Sequence, residues 1–305
     1  MNAEETVLRI AELKSEKNAI ILAHNYARPE VQDIADIVGD SLALSQAAVD
    51  VDCGIIVFAG VHFMAESAYI LSPQKKVLMP DADAGCPMAD MVTVDALRVE
   101  KKKYPNAAVV CYVNSSAAVK AESDICCTSA NAKEVVNSLP NDEILFIPDK
   151  NLGHYISRHT DKTVHLWNGF CPVHQQITKQ DVLDAKDAHP NAIFLAHPEC
   201  RPEVLDLVDG IYSTAGIIKY AAASPEKEFI IGTEQAMIHK LKKDSPDKLF
   251  YPVSKYTYCS NMKMATLPSI SRALETEQPA VTVPEDIRVR AKKALDRMLE
   301  VVPKK

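Results

Sequence analysis

Short, almost unbroken apolar runs recur along the chain: AIILA at 19–23, GIIVFAG at 54–60, AAVVCYV at 107–113, EILFIP at 143–148, AIFLA at 192–196 and EFIIG at 228–232. Each has the length of a strand buried on both faces, where both sides of the pleat meet a core and polar alternation disappears. Between the runs the pattern shifts to the longer period of amphipathic helices, as in VLRIAELKSEK, DALRVEKKK, AKEVVNSL and DVLDAKDA. Such strands alternating with helices predict an α/β protein with parallel sheets covered by helices on both faces.

The alternation is itself periodic. Asn-Ala pairs at Asn18, Asn106 and Asn191 precede three of the runs, and each of those runs ends in a polar cluster: LAHNY (22–26), CYVN (111–114) and LAHPE (195–199). A hydroxyl residue follows at a constant interval of 17, from His24 to Ser41, Tyr112 to Ser129 and His197 to Thr214. A cysteine comes 45, 42 and 45 residues later, at Cys86, Cys171 and Cys259, and a threonine lies 7 beyond each, at Thr93, Thr178 and Thr266. Four classes of position therefore keep register through three units, each the size of a small domain. The expected boundaries are repeats at 1–88, 89–173 and 174–262, with a C-terminal helical segment, 263–305, packing back on them. Ligand groups in open parallel sheets collect at the carboxyl ends of strands. If three similar αβα units with short parallel sheets surround a pseudo-threefold axis, their polar clusters and cysteines converge on one central active site.

Composition narrows the function without changing the fold. With 47% apolar and 25% charged residues the chain is globular in type. Its 34 Lys and Arg against 41 Asp and Glu give a net charge of −7, the wrong sign for a nucleic-acid or anionic-membrane surface. No apolar run is long enough to span a bilayer, and MNAEETVLRIAELKSEK reads as a mixed-charge helix rather than a signal peptide, so a cytoplasmic protein is expected. None of the eight cysteines forms a CxxC pair, and a disulfide framework is not expected in a reducing compartment. Neither GxGxxG nor GxxxxGK occurs, which leaves a dinucleotide or P-loop site without a motif.

The candidate chemistry lies at the repeated positions. Cys53, Cys111, Cys126 and Cys127 fall in or beside apolar stretches and read as small buried hydrophobes, with Cys200 left open. Cys86, Cys171 and Cys259 sit instead in the loops DAGCPMAD, NGFCPVHQ and YTYCSNMK. Three thiolates are one short for a four-iron cluster, so one iron would stay open as a Lewis acid; a Cys₃ zinc lyase or hydrolase is the competing metal reading. Ser41, Ser129 and Thr214 each read as a helix N-cap, and three helix N-termini around one centre suit a small polyanion. His24-Asn25-Tyr26, Tyr112-Val113-Asn114 and His197-Pro198-Glu199 supply acid, base and hydrogen-bonding groups. Glu199 is the candidate general base, against the plainer alternative of an ion pair with Arg201, and His174 is a second proton-transfer candidate. GVHFMAE (60–66) and PDKNLGHY (148–155) read as loop-to-helix structure. A redox-sensing binding protein is a further alternative, although no output module is evident.

AHNY, GDS, VHFMAE, CPMAD, CYVNSS, DICCTSAN, PDKNLG, GFCPVH, AHPEC, GIYSTAG, GTE and NMKMATL together resemble the quinolinate synthase family, from about residue 18 to 270. The resemblance implies three αβα domains around a pseudo-threefold axis with a [4Fe-4S] cluster on three cysteines at the centre. It implies a transferase of NAD biosynthesis that condenses iminosuccinate with dihydroxyacetone phosphate to give quinolinate, and a functional link to the aspartate-oxidising enzyme that supplies the imine. Carried onto this chain, Cys86, Cys171 and Cys259 hold the cluster, and His24, Ser41, Tyr112, Val113, Asn114, Ser129, His197, Pro198, Glu199 and Thr214 line the substrate site. Glu199, Tyr26, His24 and His174 match positions at the chemistry. Two departures stand out: Ser260 replaces the proline that often follows the third cysteine, and Tyr256 occupies a place that is cysteine in members with CxxCxxC there.

Overall fold

The computed structural model describes residues 2–301; residue 1 and residues 302–305, the end of the expected C-terminal segment, lie outside the described residues. Among the described residues twelve strands form three four-stranded parallel sheets. The first contains β1 (Ala19–His24), β2 (Ile37–Gly39), β3 (Ile55–Ala59) and β4 (Lys76–Leu78), in the order β2-β1-β3-β4. The second contains β5 (Ala108–Tyr112), β6 (Ile125–Cys127), β7 (Glu143–Ile147) and β8 (Thr163–Leu166), in the order β6-β5-β7-β8. The third contains β9 (Ile193–Ala196), β10 (Gly210–Ile211), β11 (Glu228–Gly232) and β12 (Leu249–Pro252), in the order β10-β9-β11-β12. The α/β class and the threefold recurrence expected from the sequence are both present. The six apolar runs are the two inner strands of each sheet, whose residues are almost all buried. The outer strands are two to four residues long and half exposed in places, too short and mixed to give a periodic signal.

Two further sets of repeated residues tie each unit together. Asp36, Asp124 and Asp209 stand just before β2, β6 and β10. Their carboxylates accept the backbone N–H of Ile21, Val109 and Phe194 at 2.7, 2.8 and 2.8 Å. Their own N–H groups donate back to the carbonyls of the same three residues. Each aspartate thus clamps an outer strand to its inner neighbour at two points, where the ladder itself is short. Lys75, Lys162 and Lys248 precede β4, β8 and β12 and donate to carbonyls at or just past the C-terminal ends of the helices Ser41–Asp50, Ala132–Ser138 and Thr214–Ala223. An ammonium at those ends satisfies orphan carbonyls and opposes the negative end of the helix. The repeated threonines are caps as well: Thr93, Thr178 and Thr266 accept the N–H three residues on, opening the helices Val94–Lys103, Lys179–Ala188 and Leu267–Thr276.

Helices outside the sheet units seal their surfaces. The helix Ala3–Glu16 packs against Leu267–Thr276, so that Ile10, Leu13, Ile270 and Leu274 share a core with Ile21 and Val57 of the first sheet. The C-terminal helix Glu285–Val301 lies against β6 and the helices Ala117–Ala121 and His62–Leu71, across the seam between first and second units, and buries Ala291, Ala294, Leu295 and Met298. Among the described residues no helix is long and apolar enough to cross a membrane.

Candidate active site

Because every sheet is parallel, the inner strands β1, β5 and β9 release their chains at their carboxyl ends, and the polar clusters emerge there. His24, Tyr112 and His197 are equivalent in register: the residue before each, Ala23, Cys111 and Ala196, pairs with the last residue of β3, β7 and β11. Residues from all three units line one cavity of about 220 Å³. Of the residues expected at the site, His24, Tyr26, Ser41, Tyr112, Asn114, Ser129, His174, His197, Glu199 and Thr214 reach it, as do Cys86, Cys171 and Cys259. Val113 and Pro198 do not face it. Val113 is buried, donates its N–H to the Cys127 carbonyl and lines a smaller adjoining pocket, while Pro198 is buried.

The three hydroxyl residues are not the helix caps that their spacing predicts. Asp40 caps the helix Ser41–Asp50 by accepting from Ala43, and Ser213 caps Thr214–Ala223 by accepting from Gly216. Ser129 lies in the turn before the helix Ala132–Ser138; there Asn131 accepts from Thr128 and makes no side-chain cap. A cap has extended backbone and turns its side chain onto its own helix, whereas the first helical residue does not. Moving the cap back one position leaves the Ser41 and Thr214 side chains at the cavity beside the free N–H groups of their helices. Thr214 Oγ1 accepts from Asn25 Nδ2 at 2.9 Å, which joins the first and third units and keeps the threonine's own proton available.

At the centre, Glu199 is wholly enclosed. Tyr112 donates its hydroxyl to Oε1 at 2.6 Å, and His174 Nδ1 lies 2.7 Å from Oε2, out of line for a straight hydrogen bond. Burial alone pushes the Glu199 carboxyl up; the neighbouring His174 and His197 and the Tyr112 hydroxyl outweigh it and bring the group down to about 2. Arg201 does not pair with Glu199: it donates to Ile177 O and lies 3.4 Å from Glu203, so the plain ion pair is absent. Tyr26 and Tyr112 are held protonated by burial, reinforced by the Glu199 charge.

Two histidines share one local device. His24 Nδ1 accepts the N–H of Tyr26 at 3.1 Å, and His197 Nδ1 accepts the N–H of Glu199 at 3.4 Å. An accepting Nδ1 puts the proton on Nε2. His197 Nε2 meets Ser129 Oγ at 3.0 Å. Burial drives both imidazoles down to about 3, so each is a neutral donor at pH 7.

Four buried groups escaped the sequence reading. Thr233 Oγ1 bridges the Tyr26 hydroxyl at 2.5 Å and His174 Nε2 at 2.8 Å. Asp149 accepts the N–H of Cys171, and Glu234 that of Cys259. Burial and the Glu199 charge push the Asp149 carboxyl well up, against three backbone N–H bonds that favour its anion. Lys263 pairs with Glu234 at 2.7 Å and donates to the Tyr26 carbonyl. The available signal is position: Pro148-Asp149 and Thr233-Glu234 follow β7 and β11 at equivalent places, although PDKNLGHY by itself reads as loop-to-helix structure.

The three cavity thiols carry the metal question. Burial raises Cys86 to about 12, Cys171 well above its ordinary value, and Cys259 upward. Thiols so placed stay protonated unless a cation replaces the proton. Cys53, Cys111, Cys126, Cys127 and Cys200 are buried apart from the cavity, in keeping with a packing role for the first four.

Comparison with known proteins adds an independent line. The model of the quinolinate synthetase A protein family, NadA, matches residues 8–300. Quinolinate synthase 2 of Methanosarcina acetivorans is 62% identical over 292 residues, 96% of this chain and 94% of that protein. The quinolinate synthase of Methanosarcina barkeri is 60% identical over 99% of both chains. That of Thermodesulfovibrio yellowstonii is 54% identical over 97% of this chain and 98% of its own.

Proposed function

From the premise that the chain belongs to the quinolinate synthase family, enzymes of NAD biosynthesis, we propose that it acts as a cytoplasmic transferase on iminosuccinate and dihydroxyacetone phosphate. Their condensation yields quinolinate, one phosphate and two waters, which balances all atoms, and an aspartate-oxidising enzyme supplies the imine. The observation that carries this reading is the single cavity that gathers three thiols, Glu199 and the Ser and Thr hydroxyls from three units. The reading takes 1–88, 89–173 and 174–262 as repeats about a pseudo-threefold axis, with 263–305 packed back on them; the identical strand order of the three sheets supports it.

Three sulfur donors on three loops, without a fourth protein thiol at the cavity, fit a [4Fe-4S] cluster held by Cys86, Cys171 and Cys259. When bound, such a cluster supplies an open iron as a Lewis acid for dehydration. Ser41 and Thr214, beside helix N-termini, hold the carboxylates and phosphate of the substrates. His24 and His197 serve as neutral Nε2–H donors to substrate oxygens, which changes the expected role of His24 from acid–base partner to donor. Glu199 removes a proton next to the triose carbonyl. Its carboxyl is held low chiefly by the neighbouring imidazoles of His174 and His197 and less by the Tyr112 hydroxyl. Tyr26, linked through Thr233 to His174, delivers or accepts the matching proton.

One observation favours a second reading. Ligand atoms of Cys171, His174 and Glu199 lie within 4.8 Å of one another, an arrangement that suits Zn²⁺ and a lyase or hydrolase. Anaerobic purification with iron, sulfide and zinc analysis, coupled to quinolinate formation from the two substrates, decides between them. A brown protein with iron and sulfide that makes quinolinate is expected, and Cys171→Ser loses both cluster and turnover while Cys53→Ser keeps both. A colourless, air-stable zinc protein without quinolinate formation overturns the proposal.

A further inference from the structure

Two of the three cysteine loops share a feature that the third lacks. Ile147 ends β7 and Gly232 ends β11, paired with Cys111 and Ala196 at the same register. Two residues beyond each is a fully buried carboxyl group, Asp149 and Glu234. Asp149 Oδ1 accepts the N–H groups of Asn151 and Leu152, both at 2.8 Å, at the start of the helix Lys150–Ser157; Oδ2 accepts from Cys171 at 3.1 Å. Glu234 divides its oxygens in the same way. Oε2 accepts from Ala236 at 2.9 Å, and Oε1 accepts from Cys259 at 3.2 Å and from Lys263 Nζ at 2.7 Å. In the first unit the matching strand end is Ala59, paired with Ala23, and the residue two further on is Val61, whose side chain has no acceptor to offer the Cys86 loop.

Resting on the proposed cysteine ligands, we infer that Asp149 and Glu234 are positioning residues that latch the Cys171 and Cys259 loops in place for a metal group, while the Cys86 loop has no such carboxyl group on its cysteine N–H and is held instead through the Ala84 and Gly85 carbonyls, which accept from His62 N–H and Asn261 Nδ2. One oxygen of each carboxyl group is committed to the segment that follows it, a helix start for Asp149 and the Ala236 N–H for Glu234, and the other to a cysteine 22 or 25 residues along the chain. An amide cannot copy this. It has one accepting oxygen, and its NH₂ would face a buried N–H, leaving one of the two segments without an acceptor. Groups that orient metal ligands from behind change metal affinity by about 10- to 100-fold when removed.

The test uses the full chain, reconstituted anaerobically with ferrous iron and sulfide. Asp149→Asn and Glu234→Gln should lose iron to a chelator about tenfold faster than the parent, with thermal unfolding followed in parallel. In the metal-free state, Asp149→Asn should speed amide hydrogen exchange at Cys171 and not at Cys259, and Glu234→Gln should do the reverse. The metal-free parent tests the idea even where a variant does not fold: its Cys171 and Cys259 amides should exchange more slowly than that of Cys86. Equal exchange at all three cysteines, or parent-like iron retention in both variants, overturns the inference. Full iron and sulfide in Cys171→Ser would instead overturn the ligand reading on which it rests.

Discussion

Glu199 occupies the last position of LAHPE, where β9 hands the chain to the cavity, with both oxygens engaged from other units or loops. Glu199→Gln keeps shape and hydrogen bonding but removes the base. Turnover is expected to fall by about a hundredfold or more with substrate binding and the metal content unchanged. Solvent-deuterium exchange into bound dihydroxyacetone phosphate checks this directly, since exchange at the parent rate removes Glu199 from the base role. His24 and His197 give a second prediction. Their folded values lie near 3, below the ordinary 6.5. As pH falls, the unfolded chain takes up these protons first, so stability is complete above about 6.5 and is lost on the way down to about 3. Each histidine contributes a slope of up to about 1.4 kcal/mol per pH unit in that window. Urea unfolding between pH 7 and 5 should show a shallower pH dependence for His24→Gln than for the parent; equal slopes would mean that His24 takes up its proton in the folded protein. At this scale the sequence exposed the residue types and their recurrence, because strand ends are where parallel sheets present polar groups. It did not expose Thr233, since a hydroxyl in GTE carries no pattern until Tyr26 and His174 are brought to either side of it.

The elements obey the hydrophobic pattern wherever both faces are buried. Inner strands are legible for that reason and long helices because one face is buried and the other exposed, while the outer strands are too short to carry a period. What holds those outer strands is a set of clamps. Asp124 Oδ2 accepts from Val109 while the Asp124 N–H returns to the Val109 carbonyl. Asp124→Ala leaves a partly buried N–H without its acceptor and should cost about 1–3 kcal/mol in chemical denaturation. The aspartates recur with the same intervals as the Asn-Ala pairs, so the signal was present, but a surface-type residue before a short strand invites no attention. The displaced caps show a related limit. Asp40-Ser41 and Ser213-Thr214 each offer two capping residues in a row, and only the backbone turn decides which one caps and which faces the ligand.

In the whole molecule, three units meet around one cavity and the C-terminal helix closes the seam between the first two. Leu295 is fully buried there, and Leu295→Ala should cost about 2–5 kcal/mol in equilibrium unfolding; a loss within a few tenths of a kcal/mol would mean that the helix does not share the core. The sequence by itself determined the α/β class, the threefold recurrence, the inner strands and the residue types at each strand end, because these follow from local periodicity and from spacing that survives low identity between repeats. Only the tertiary structure decided that Cys86, Cys171 and Cys259 share a cavity, that Glu199 faces Tyr112 and His174 rather than Arg201, and that Asp149 and Glu234 stand behind two of the cysteines. Those pairings join residues separated by tens to hundreds of positions, and their geometry is set by how three separately formed sheets pack, which no local pattern encodes.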